Sequence, residues 1–399
     1  MSDMGQTDAR DYRLQSIDLV RGIAIVIMAL DHTRDYFSNA HFNLFDPSQV
    51  PLALFLTRWV THICAPAFVF LAGVSAGLMA ERKSTSELSA FLCKRGLWLI
   101  IIEMTVITFA WAFADLGSGN TGSGLVIIMQ VIWAIGASMV VLAGLVWLPA
   151  RFLLPLGMLI IIGHNLLDGV WPESTFPATP QPLWYGLHSQ ALVAVGGVNI
   201  WMLYPLLPWI GLMTAGFGAA KIFALPENER KALLLRACVI MIALFVVLRG
   251  FGAYGEPSTW SAMENHWQAT LVSFLNTSKY PPSLQYLLMT LGPSFLLLAF
   301  AERWRGWIGN SLVMFGRVPF LFYVAHLYLL HVGAVLLGTL QGYSPAQFIT
   351  SFFQFPVDYG LGLPGVYAVW CLAVVLLYFP CVWFAEIKKR RRDWWLSYL

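Results

Sequence analysis

Runs of about 20 mostly apolar residues, the length a helix needs to cross a bilayer, recur along the whole chain. They predict ten spans, at roughly 17–37, 59–80, 96–114, 125–147, 152–167, 199–221, 235–252, 284–301, 318–340 and 365–385. The stretch 307–317 reads as part of a bent ninth element, broken around Gly316 and Pro319, because proline cannot continue a helix undisturbed. Counted as a span of its own, it would carry the basic tail to the opposite side. The fold class expected is all-α, a polytopic transmembrane helix bundle of about ten spans. No internal repeat is visible, so the inverted-repeat signature of many transporters is missing.

Composition turns that pattern into a firm class. Apolar residues make up 58% of the 399 positions and charged residues 11%, against about 25% charged in a soluble domain. So few charges cannot cover a soluble surface, and they exclude a disordered chain and a nucleic-acid-binding domain. The net charge of +3 adds little, since the five basic residues Lys388 to Arg392 exceed it. Cys64, Cys93, Cys238, Cys371 and Cys381 show neither a CxxC pair nor metal-ligand spacing, and are expected to act as small hydrophobes. Three regions follow: a polar N-terminal segment over 1–16 with no signal-peptide pattern, a transmembrane domain over 17–386, and a basic tail over 387–399.

Basic residues set the orientation, because inner loops are enriched in them. With the N-terminus in the cytoplasm, 20 of the 24 Lys and Arg fall on the inner side. Only Arg34, Arg58, Arg249 and Lys279 fall near the outer one. Both termini are therefore expected in the cytoplasm, the protein lying in a bacterial inner membrane. The outer loops, about 38–58, 168–198, 253–283 and 341–364, are the long ones, rich in Pro, Trp, Tyr, His and Asn. Such loops suit a polar ligand such as a sugar; an interfacial aromatic belt explains many of the same Trp residues.

Ionisable residues inside the membrane are costly and mark function by default. The first span, SIDLVRGIAIVIMALDHTRDYF, holds most of them. Its apolar core from Ile23 to Leu30 is too short to cross alone, so the helix continues through Asp31, His32, Arg34 and Asp35. Arg21 and His32 are eleven residues apart, three turns plus about 20°, so they share a face at a separation of about 16 Å. Asp18 sits on nearly the same stripe. Asp31, Arg34 and Asp35 can form a local ion cluster that orients the histidine. Glu103, His62, Arg317 and His326 are the other polar groups at membrane depth. His326 and His331 are five apart and share no helical face, which argues against a paired-histidine metal site. HExxH and P-loop motifs are absent.

The segments SIDLVRGIAIVIMALDH, CAPAFVFLAGVSAGL, YPLLPWIGLMTAGFGAAK, NTSKYPPSLQYLLMTLGP and FGRVPFLFYVAHLYLLH resemble the bacterial relatives of heparan-α-glucosaminide N-acetyltransferase, over about residues 13–385. The Arg21-x10-His32 spacing also resembles the signature of the acyltransferase-three membrane family. The resemblance implies a transmembrane acyltransferase that takes an acyl group, usually acetyl, from cytoplasmic acyl-CoA to an amine or hydroxyl of a glycan on the outer face. In the lumenal enzyme an Asn stands where this chain has His32. Its catalytic His lies further into the loop, where the nearest counterpart is His41, displaced by two residues. His32 ranks first through its stripe and spacing, with Asp31, Asp35, His41 and His326 as the other catalytic candidates. An imidazole can act as base or acyl carrier. Arg21, Lys94, Arg95 and Arg317 are the cations expected to bind the donor's phosphates. Acetyl-CoA or another acyl-CoA is thus the expected co-substrate; no metal is expected, and a homo-oligomer stays open. The alternative is a proton-coupled transporter or flippase in which Asp31, His32, Glu103 and His326 relay protons.

Overall fold

The computed structural model describes residues 4–40, 50–113, 125–172, 180–264, 266–349, 355–391, 393 and 396, with side chains left aside for 4–14 and 125. The protein is 74% helix. In chain order the described elements are α1 (Met4–Phe37), α2 (Leu52–Thr61), α3 (Cys64–Met79), α4 (Thr85–Ile102), α5 (Thr108–Ala112), β1 (Leu125–Met129), α6 (Val131–Leu145) and α7 (Leu153–Gly163). They continue with β2 (Ala191–Val195), β3 (Val198–Met202), α8 (Leu207–Ala219), α9 (Glu227–Phe251), α10 (Trp267–Leu275), α11 (Leu284–Phe300), α12 (Gly306–Arg317), α13 (Pro319–Leu340) and α14 (Leu363–Arg390).

Among the described residues, seven helical segments are long and apolar enough to cross a membrane: Leu52–Met79, Ala150–Leu167, Leu207–Ala224, Glu227–Phe251, Leu284–Arg303, Pro319–Leu340 and Leu363–Arg390. The three other expected spans differ for identifiable reasons. α1 has 34 residues, about 51 Å, but carries charges at both ends of its apolar core. The expected span 96–114 forms part of a helix that runs through α4, a π-helical turn at Glu103–Ile107 and α5, with Glu87, Lys94 and Arg95 in its first half. The stretch 125–147 is shared between a strand and α6, which has only 15 residues.

The chain divides into two compact units, one built from residues 1–64, 109–115 and 297–399, the other from 65–108 and 116–296. In the first, α1 is the axis. A Cβ on Gly22 would strike the Leu312 backbone, and one on Gly316 would strike the Asp18 carbonyl. α12 therefore packs antiparallel to α1 with backbones almost touching, as small residues allow in membrane helices. α13 runs parallel to α1, since His32 meets His326 and Phe37 meets Gly333. α14 runs antiparallel: Leu361 N–H donates to the Phe37 carbonyl at 2.7 Å, and Trp370 Nε1–H to the Val26 carbonyl at 2.8 Å. The single bent element expected over 307–340 is thus corrected. α12 and α13 run in opposite senses along α1, and the chain reverses at Val318 (φ −127°, ψ 44°).

In the second unit, a three-stranded sheet has the order β1-β3-β2, with β1 parallel and β2 antiparallel to β3. Gly196 and Gly197 join β2 to β3 at φ +58° and +83°, left-handed backbone that glycine adopts without penalty. Ile127, Met129, Ala191 and Met202 form its buried core. Arg249 at the end of α9 is buried and clamps the following loop. Its guanidinium donates to the carbonyls of Ser258 (2.7 Å), Asn276 (2.9 Å), Ser273 (3.0 Å) and Phe274 (3.0 Å).

Candidate functional site

α1 and α13 bring two imidazoles together in the first unit. His32 Nδ1 lies 2.7 Å from His326 Nε2. The ring centroids are 5.0 Å apart and the planes differ by 9°, so the rings lie edge to edge in nearly one plane. The protons can be assigned by elimination. His326 Nδ1 is 3.0 Å from the Phe322 carbonyl, which only accepts, so this nitrogen carries the hydrogen. In the neutral pair His326 Nε2 then holds a lone pair and accepts from His32 Nδ1–H. The lone pair of His32 is thereby fixed on its Nε2. His326 is fully buried while His32 is half-buried, an arrangement in which the inner ring orients the outer one.

Aromatic walls hold the pair. The Trp111 ring meets His32 edge-on at 5.0 Å, and Tyr323 at 6.2 Å. Trp111 stacks in turn on Tyr36 at 5.3 Å and 9°. Tyr36 donates its hydroxyl to the Ala110 carbonyl at 3.2 Å. His331 reaches the same carbonyl with Nδ1 at 2.8 Å and the Phe348 carbonyl with Nε2 at 2.7 Å. His326 and His331 therefore serve different partners, as their spacing implies. Trp111 and Tyr323 carry no motif, and only the fold brings them to His32.

The ion cluster expected on α1 is present: Arg34 Nη2 lies 3.0 Å from Asp31 Oδ1 and 2.6 Å from Asp35 Oδ1. Both carboxylates are engaged by this buried guanidinium, while the Nδ1 of His32 is met by His326. At the opposite end of the stripe Asp18 lies 3.6 Å from Arg21 and 3.5 Å from Arg317. The first unit thus gathers two of the four expected phosphate ligands around one carboxylate. Lys94 and Arg95 belong to α4 in the second unit, Lys94 exposed and Arg95 half-buried. His41 lies outside the described residues.

The second unit holds two further polar constellations. Glu103 sits buried on the π-helical turn, and its Oε2 accepts from the Trp133 N–H at 2.8 Å, at the start of α6. Near the end of α7, His188 Nε2 lies 2.9 Å from Asp168 Oδ1, and Asn165 donates to Asp168 Oδ2 at 2.7 Å. The buried ring of His164 packs edge-on to His188 at 5.3 Å. Burial alone would raise the Asp168 carboxyl, but the hydrogen bonds from His188 and Asn165 hold it below the ordinary carboxylate value. The sequence hints at this group only through the i, i+4 pair His164 and Asp168. Among the described residues no group of three or more His, Cys, Asp or Glu is placed to hold a metal ion.

The family model described as heparan-alpha-glucosaminide N-acetyltransferase, catalytic, matches residues 13–250, 238 of the 399 positions. No curated protein matches the chain.

Proposed function

The chain belongs to the heparan-alpha-glucosaminide N-acetyltransferase catalytic family, and on that premise we propose that this membrane acetyltransferase moves acetyl from acetyl-CoA to an amine or hydroxyl of a glycan-type acceptor. The observation that carries the reading is the coplanar His32–His326 pair, which leaves a basic nitrogen on the more exposed ring. His32 Nε2 takes the proton of the acceptor as its nitrogen or oxygen attacks the thioester carbonyl. The tetrahedral intermediate collapses, the C–S bond breaks, and the thiolate leaves with the proton held on His32. While His32 is an imidazolium, His326 Nε2 accepts its Nδ1–H and stabilises the positive charge, the part a carboxylate plays in a triad. Arg34 engages Asp31 and Asp35 and fixes the helix beside the ring rather than the ring itself.

Within the first unit the donor's phosphates are assigned to Arg21, since charge-assisted contacts position a polyanion. Arg21 lies about three turns from His32 along α1, on the side assigned to the cytoplasm by the distribution of basic residues. The acceptor then approaches from the outer side. Incubating purified protein with isotopically labelled acetyl-CoA and a panel of amino sugars tests the reading. Label covalently on a sugar, lost in His32→Ala and retained in His41→Ala, is the expected result. Protein-dependent proton flux with no acetylated product would overturn it in favour of a transporter.

A further inference from the structure

At the end of the first unit where α1 begins and α14 finishes lies a cavity of about 260 Å³. Arg317 and Lys389 bring positive charge to its wall and Glu386 one negative charge, Gln15 and Asn310 bring amides, and Val313 and Met314 make an apolar side. Lys388 donates to the Arg317 carbonyl at 3.1 Å, which ties the end of α14 to the end of α12. Two carboxylates are close, Asp18 at 3.5 Å from Arg317 and Glu386 at 2.6 Å from Lys389. Against them stand Arg21, Arg317, Lys388, Lys389 and Arg390, so the site keeps an excess of positive charge. The cations are also reachable, the Arg317 side chain being 42% exposed and that of Lys389 58%.

Size and surroundings select the anion. Sites that enclose a drug-sized ligand measure roughly 300–1,000 Å³, and acyl-CoA is larger than such ligands. A cavity of about 260 Å³ suits a headgroup-sized anion instead. On the outer face of α14, Phe379 is 68% exposed and Trp383 66%. This apolar stripe, ending in a tryptophan, is what lipid-facing helices show where they meet the interface. The basic run from Lys388 follows at once, and such runs attract anionic headgroups.

We propose that this cavity binds the phosphate headgroup of an anionic phospholipid from the surrounding bilayer, with Arg317 and Lys389 at the phosphate and Gln15 and Asn310 at the headgroup hydroxyls. Arg317 shares the Asp18 carboxylate with Arg21, so competition with coenzyme A keeps failure of this reading distinct from failure of acetyl transfer. Native mass spectrometry of the detergent-purified full chain, titrated with phosphatidylglycerol or phosphatidylcholine, provides the test. Phosphatidylglycerol is retained in preference, and Arg317→Gln with Lys389→Gln weakens its binding about thirtyfold, the factor two cations supply towards an anionic headgroup. Met314→Trp fills the cavity at constant charge and causes a comparable loss; Asn310→Trp, at an exposed position, does the same if Met314→Trp fails to fold. Equal retention of both lipids overturns the proposal, as does unchanged affinity in the charge variant. Displacement of phosphatidylglycerol by excess coenzyme A would reassign the cavity to the donor.

Discussion

Replacing His326 by Phe keeps a flat ring beside Phe322 and removes the Nε2 acceptor that faces His32 Nδ1. In the ground state the lost contact is a neutral hydrogen bond at 2.7 Å, worth about 1 kcal/mol net. In the transition state His32 is cationic, and a hydrogen bond to a charged group contributes about 1.5–3 kcal/mol. His326 is fully buried, so no solvent water replaces its Nε2. The rate should therefore fall by the difference, about 0.5–2 kcal/mol or about 2- to 30-fold, in kcat rather than KM, because the acceptor contact strengthens as the proton arrives. His326→Gln can set its amide oxygen near the former Nε2 and should recover most of the loss. The assay is steady-state acetylation in detergent, normalised to folded protein by thermal unfolding. A His326→Phe enzyme as fast as wild type would refute the orienting role, and a Gln variant as slow as Phe would replace orientation by proton transfer through His326.

Arg249→Met removes four hydrogen bonds from a buried guanidinium to loop carbonyls and should cost about 3–5 kcal/mol; denaturant unfolding showing under 1 kcal/mol would sink the clamp. Asp168 is held below its ordinary value, so its contribution is complete above the unfolded pKa of about 4 and disappears as pH falls through the lower folded one. Asp168→Asn should accordingly lower the unfolding midpoint at neutral pH and match wild type in strong acid. The opposite pH trend would contradict the bonding described. Gly316→Leu places a side chain where the Asp18 carbonyl lies and should leave little folded monomer by size-exclusion chromatography, whereas Gly306→Ala, in open space but at φ +86°, should cost only about 1 kcal/mol.

Apolar run length and polar spacing on a helix carried much of this architecture into the sequence. The stripe from Asp18 through Arg21 to His32 and the Asp31–Arg34–Asp35 cluster follow from 3.6 residues per turn, and both are present. LVIIM and VNIWM were read into helical spans because a short apolar run has no period that separates strand from helix. The break near Gly316 was legible, but the reversal of direction there depends on the Gly22–Leu312 and Gly316–Asp18 approaches, which are tertiary. Local spacing points to the nearby carboxylates as the partner of His32. The imidazole that meets it lies 294 residues away, beyond any local pattern, as are the Trp111 edge and the Asp168–His188 pair.

That separation also orders events during synthesis. At roughly 5–20 residues per second, His326 emerges some 15–60 s after His32. For most of this interval α1 has none of α12, α13 or α14 beside it. Arg34 pairs with both Asp31 and Asp35 within about one helical turn, so the most heavily charged part of the helix has its ion pairs before any later segment is made. His32 is the group left for the final helices to complete. A chain released before α13 would hold every donor-side cation assigned here and still lack the ring that aims its base, so catalytic competence arrives only with the last quarter of translation.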